Sequence, residues 1–182
     1  MKIQMLPKTA VRPPEWRATS ILRPDLLLLK TSLTESGWLQ PIVVRVSDNS
    51  IIDGSERWNV VCTDERFRKK HGDLIPVVFH DVDEIDAMVL HVRLNRARGF
   101  VHPVRLSSVV NKIIVSAKYG ERDLAAILAM SDDELELLLT GDLIKKKNLQ
   151  KYEYSRAWVP VEVPTEGEVP SSFIERPPNE DR

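Results

Sequence analysis

Short β-branched runs alternate with helix-length segments as far as Gly99, and this alternation constrains the fold more than any other feature of the chain. The runs "PIVVRV" (41–46), "II" (51–52) and "IPVVF" (75–79) are too short for amphipathic helices and suit strands. The unbroken apolar character of "IPVVF" predicts a strand buried on both faces. "KIQMLP" (2–7) adds a strand limited by Pro7. Between them, Pro24 opens a helix that Gly37 stops, with Leu26, Leu29 and Leu33 on one face. Residues 55–70 read as one helix with Trp58, Val61 and Cys62 on one side. Residues 83–99 read as another, with Ile85, Met88, Val89 and Val92 at helical spacing and Gly99 as its stop. Strand, helix, strand pair, helix, strand, helix is the order of a small α/β (α+β) unit with helices flanking a sheet.

Beyond Gly99 the pattern is all helix. Pro103 opens a segment with Leu106, Val109, Val110, Ile113, Ile114 and Ala117 on one stripe, closed by Gly120. "ERDLAAILA" is a short second helix, and Ser131 with Glu134 makes a capping box for a third, "DDELELLL", closed by Gly141. The basic run "KKKNLQK" (145–151) leads into a tail rich in proline and acids, whose composition suits an extended or disordered segment. The expected organisation is a sheet-containing domain over 1–99, a helical bundle over 100–145, and a basic segment with a Pro/acid-rich tail over 146–182.

Composition narrows the function classes. The chain has 182 residues and a formal net charge of -1, so general polyanion affinity does not follow from the total. One cysteine, Cys62, excludes an intramolecular disulfide and fits a reducing compartment. The N-terminus lacks a signal-peptide core, and the aliphatic run 26–29 is too short for a bilayer. A cytoplasmic protein with no membrane association is expected. His71, His80, His91 and His102 lack metal-ligand spacing and read as structural or surface residues.

Three segments could carry chemistry. In "IIDGSERW" (51–58), Gly54 lies between a strand end and a helix start, where free N–H groups and the helix dipole favour an anion and Arg57 could add a charge-assisted bond. A tight turn with a solvated arginine would read the same way. In "LNRAR" (94–98), Asn95 continues the Met88–Val92 stripe and Arg98 follows on the same face, which fits either an inward-facing polar pair or ordinary C-terminal capping. In "SLTESGWLQP" (32–41), a helix end and a glycine lead through Gln-Pro into a strand.

Taken together these segments resemble the N-terminal domain of the ParB family, the ParB/sulfiredoxin-like fold. Ser32, Gly37, Gln40 and Pro41 match its S-I-x-x-x-G-x-x-Q-P segment, with Leu33 for the isoleucine. Gly54, Arg57 and Trp58 match its G-E-R-R-[WY] box, and Asn95 and Arg98 its E-N-x-x-R box. The resemblance implies a nucleotide site, with CTP favoured and ATP the alternative, formed by Gly37, Gln40, Pro41, Gly54, Ser55, Glu56, Arg57, Asn95, Arg96 and Arg98. It implies Mg²⁺ near Asn95, slow triphosphatase activity, homodimer formation and DNA association in a bacterium, plasmid or phage. It also implies that residues 121–139 form a helix-turn-helix.

The chain departs from the family pattern at three places. Ser55 and Glu56 stand where the family has Glu and Arg, and Leu94 stands where it has a metal-associated Glu. No cysteine stands in the phosphate box, which sets sulfiredoxin chemistry aside. The helix expected to read DNA begins Asp132-Asp133-Glu134 and has no cation before Gly141, so it would repel phosphates. Lys145, Lys146, Lys147 and Lys151 are the candidates for backbone contacts to DNA, with Arg66, Arg68, Lys69 and Lys70 as a second basic run. Two other functions fit the residues. One is a small-molecule kinase of the free-serine type, with Glu56 or Asp53 as the acid; the other is an interaction module without nucleotide binding.

Overall fold

A computed structural model describes residues 2–99 and 101–140. The elements, in chain order, are β1 (Ile3–Pro7), α1 (Arg23–Ser36), β2 (Ile42–Arg45), β3 (Ile51–Asp53), α2 (Ser55–Thr63), α3 (Glu65–His71), β4 (Leu74–His80), α4 (Glu84–Arg98), α5 (Pro103–Val115), α6 (Glu121–Leu128) and α7 (Asp132–Leu139). The sheet order is β1-β4-β2-β3. Strand β4 runs antiparallel to β1 and parallel to β2, and β2 runs antiparallel to β3, so the sheet is mixed and the class is α+β.

Side-chain alternation divides the interior into two layers. Ile42, Val44, Ile51, Ile75 and Val77 face α1, α2 and α3, where Leu33, Val60, Val61 and Phe67 complete the packing. Ile52, one residue on from Ile51, faces the opposite way onto α4, joining Met88, Val89 and Val92. The same cluster continues without a break through Leu106, Val109, Val110 and Ile113 of α5, Leu124 and Leu128 of α6, and Leu135 and Leu138 of α7. Thus α4 serves both parts of the chain: one side covers the sheet and the other is a wall of the helical bundle.

Four local features differ from the sequence reading. The segment 55–70 is two helices, because Asp64 leaves helical geometry and its carboxylate accepts from the Arg66 and Phe67 amides, starting α3. Helix α5 ends at Val115 rather than running towards Gly120. Ala117 takes a left-handed conformation (φ 55) there, and Lys118 turns to pair with Asp83 and Asp86 at the start of α4. A 3-10 turn over Lys8–Ala10 follows β1. Strand β4 is apolar and buried through Ile75–Val77 but partly open from Val78 onward.

Among the described residues, no helix is long and apolar enough to cross a membrane. Lys145, Lys146, Lys147, Lys151 and the Pro/acid-rich tail lie outside the described residues.

Candidate anion site at the start of helix α2

Gly54 joins β3 to α2 and has a left-handed backbone (φ 97, ψ 17). A Cβ there would lie 2.9 Å from Nη2 and 3.3 Å from Cζ of Arg57. The left-handed backbone calls for glycine, and a Cβ there would also push against the guanidinium folded back over it. Among the described residues no side chain caps α2, so its first amides have no acceptor of that kind there.

Arg57 draws two of the three sequence segments together. Its Nη1 donates to Gln40 Oε1 (3.2 Å), and its Nη2 donates to the Pro41 carbonyl (3.2 Å) and to Asp53 Oδ2 (3.3 Å). The third segment arrives from α4, where Arg98 Nη1 donates to both carboxylate oxygens of Asp53 (2.9 and 3.0 Å). The Asp53 side chain is 8% exposed, that of Arg57 16% and that of Arg98 40%. Two guanidiniums thus share one buried carboxylate, leaving a surplus of positive charge beside an uncapped helix start. Burial pulls the Arg57 pKa below its ordinary value; Asp53 opposes that shift and the Arg98 charge adds to it. Arg57 Nε is buried with no partner among the described residues.

The remaining sequence candidates lie around this centre or away from it. Ser55 is the first residue of α2, and Glu56 in the same turn accepts from Arg17 Nη1 (3.4 Å). Asn95 is buried, and its Nδ2 donates to the His91 carbonyl of its own helix (2.8 Å). Arg96 points towards the bundle, where it donates to both Glu134 oxygens (2.6 and 3.2 Å) and to the Ala129 carbonyl. Gly37 ends α1 with φ 72, its Cα face against the His71 ring.

The donor set does not fit a divalent cation. Both oxygens of Asp53 accept from arginines, Glu56 is paired with Arg17, and the Asn95 amide is turned to its own helix. Among the described residues, no group of three or more His, Cys, Asp or Glu side chains could hold a metal. The charge arrangement fits an anion instead.

Two contributors had weak or no sequence signals. Arg17 comes from the proline-containing segment 11–22, and nothing in its spacing ties it to α2. His91 lies three residues after Met88 and one before Val92, on the stripe that faces the sheet, so its burial was readable from the period. Its Nε2 accepts from the Ala18 amide (3.0 Å), so Nδ1 carries the proton and donates to the Ile52 carbonyl (2.8 Å). Burial lowers the His91 pKa, although the bond to Ile52 opposes the shift.

No protein-family model matches the chain. Its sequence is 24% identical over 149 residues to the uncharacterized protein YbdM of Escherichia coli (strain K12), covering 80% of this chain and 70% of that protein. The fold is similar to a pNOB8-like ParB N-domain, at a TM-score of 0.56 and 14% identity over 86% of this chain and 74% of that one. It is also similar to a C-terminally truncated ParB from Caulobacter crescentus complexed to the centromeric parS site, at a TM-score of 0.51 and 18% identity over 82% and 76%. The described residues therefore define an α+β protein with a four-stranded mixed sheet. More particularly, its fold is that of the ParB N-terminal domain.

Proposed function

We propose that the chain binds a nucleoside triphosphate at the start of α2 and acts as a nucleotide-responsive, DNA-associated or regulatory protein. The observation that carries this reading is that Arg57, one turn beyond Gly54, gathers Gln40, Pro41 and the buried Asp53 carboxylate, and that Arg98 meets the same carboxylate from α4. The uncapped amides of α2 would receive phosphate oxygens, Arg57 and Arg98 would neutralise them, and Gln40 would border the base. Arg17, beside Glu56 in the same turn, would add a third cation. CTP is the first nucleotide to test because the boxes resemble those of the ParB family, and ATP is the second. Magnesium would enter with the phosphates, since the protein's own acids here are held by arginines.

The helical half supports a restricted role for DNA. Asp132 and Asp133 are exposed at the start of α7, and phosphate contacts require cations. DNA association would therefore run through basic segments such as Lys145–Lys147 and Lys151, or through a partner, rather than through α7.

Calorimetric titration with CTP, ATP, GTP and UTP, each with Mg²⁺, tests the reading on the unsubstituted chain and on Arg57→Ala. One nucleotide should bind and the substitution should abolish binding. If none binds, the chain is an interaction module with this fold. Transfer of the γ-phosphate to free serine would instead favour the kinase.

A further inference from the structure

We infer that His91 is a positioning residue for the anion site: it fixes the segment 11–22 across the end of β3 and so holds Arg17 beside the first turn of α2. This inference rests on the anion reading above.

The segment 11–22 contains no helix or extended strand of its own, only an isolated bridge between Arg12 and Ser50. Its placement therefore depends on individual tethers. At its start, Arg12 donates its amide to the Asn49 carbonyl, and the Arg12 carbonyl accepts from the Ile51 amide. Trp16 is buried and donates Nε1 to Glu84 (3.1 Å). The Ala18 carbonyl accepts from the His102 amide. The Ala18 amide is fully buried, and its acceptor is a side chain, the His91 imidazole, rather than backbone.

The imidazole bridges two chain segments with its two nitrogens. Nε2 accepts from Ala18, and Nδ1 donates to the carbonyl of Ile52, the residue immediately before Asp53. One rigid ring thus sets the distance between the residue following Arg17 and the residue preceding the carboxylate that clasps Arg57 and Arg98. Trp16 packs edge-on against that ring, with centroids 5.5 Å apart. The charged groups that act on the ring are the same ones that make up the site: Asp53 at the end of β3, Arg17 on the segment itself and Arg98 on α4. A histidine with neutral Nδ1–H suits this place because it both donates and accepts from a fixed plane. A flexible amide of similar volume would not hold both bonds at that separation, and an alanine would leave the Ala18 amide buried without a partner.

Among the described residues the Arg17 side chain makes one polar contact, to Glu56, and it is partly exposed. Its own side chain does not fix its position; its backbone does. A positioning histidine that acts through Arg17 predicts a specific non-additivity.

The experiment has two arms on the full chain. In the first, the imidazole of the ligand-free protein is observed by ¹⁵N NMR together with exchange of the Ala18 amide. The Nδ1–H tautomer and a protected Ala18 amide are expected; an Nε2–H tautomer overturns the proposal without any substitution. In the second, inorganic tripolyphosphate is titrated calorimetrically into the unsubstituted chain, His91→Gln, Arg17→Ala and the double variant. Each single substitution should weaken binding about tenfold, the value of one charge-assisted bond, and the double variant should be no weaker than Arg17→Ala alone. Losses that add in the double variant mean that His91 acts on the fold at large, which overturns this proposal and leaves the anion reading standing. If the unsubstituted chain binds no tripolyphosphate, the anion reading fails and this proposal fails with it.

Discussion

Helices α2 and α7 begin in opposite ways. Helix α2 starts after a glycine that offers no cap, and its surroundings hold two arginines against one buried aspartate. Helix α7 starts after Ser131, whose hydroxyl accepts from the Glu134 amide, and its first turn carries Asp132, Asp133 and Glu134. Both starts present free amides and a positive dipole end. At α7 the chain fills that end with its own oxygens and binds Glu134 to Arg96. At α2 no side-chain oxygen among the described residues caps the end, and three arginines, Arg17, Arg57 and Arg98, face two acids, Asp53 and Glu56. One start is closed by the protein itself; the other, on the function proposed above, would receive an anion from outside.

The difference can be broken most severely at Asp53. Asp53→Asn leaves two guanidiniums, one of them largely buried, without their counter-charge. It should cost about 3 kcal/mol in chemical denaturation. Added tripolyphosphate should recover part of that loss in the variant, because it supplies the missing charge. A loss that tripolyphosphate does not touch would mean that the cluster is purely structural.

Gly54→Ala tests the geometry rather than the charge. The left-handed backbone and the Cβ contact with Arg57 should together cost about 2 kcal/mol, read from the unfolding midpoint, and should displace the guanidinium. At the closed start, Ser131→Ala should cost about 1 kcal/mol by the same measurement and leave nucleotide affinity unchanged. The pair sharpens the comparison, since only the α2 substitution should affect both stability and binding.

The smallest effect is one of pH. The folded chain holds His91 below its ordinary pKa of 6.5, so the unfolded chain takes up the proton first as pH falls. The His91 contribution is complete above about pH 6.5 and declines as pH drops from there towards the folded value. Unfolding followed between pH 7.5 and pH 5 should show that decline, and His91→Gln should flatten it.

The sequence displayed the order of elements because β2, β3 and β4 were short, β-branched and bounded by turn residues, and because Pro24, Gly37, Gly99 and Pro103 punctuated the helices. The helix break at Asp64 was hidden. An Asx cap inside a run of helix formers looks like any polar residue of an exposed face. The early end of α5 was hidden for a tertiary reason, since Lys118 is drawn to the acids at the start of α4. Of the candidate site, the junction at Gly54 was legible, because a strand end, a glycine and a helix-like run place the glycine between β3 and α2. The roles of Asn95 and Arg96 depended on which neighbour each side chain met, His91 within α4 and Glu134 on α7, and no local spacing contains that information. Arg17 was invisible because an irregular segment placed by tethers to distant residues has no period to read.

The most direct test of the central claim compares the backbone amides of the two helix starts in one titration. Adding CTP with Mg²⁺ to ¹⁵N-labelled chain should shift the amides of Gly54, Ser55, Glu56 and Arg57 and leave those of Asp132, Asp133 and Glu134 in place. Movement of the α7 amides alone, or of neither set with any of the four nucleotides, would contradict the account.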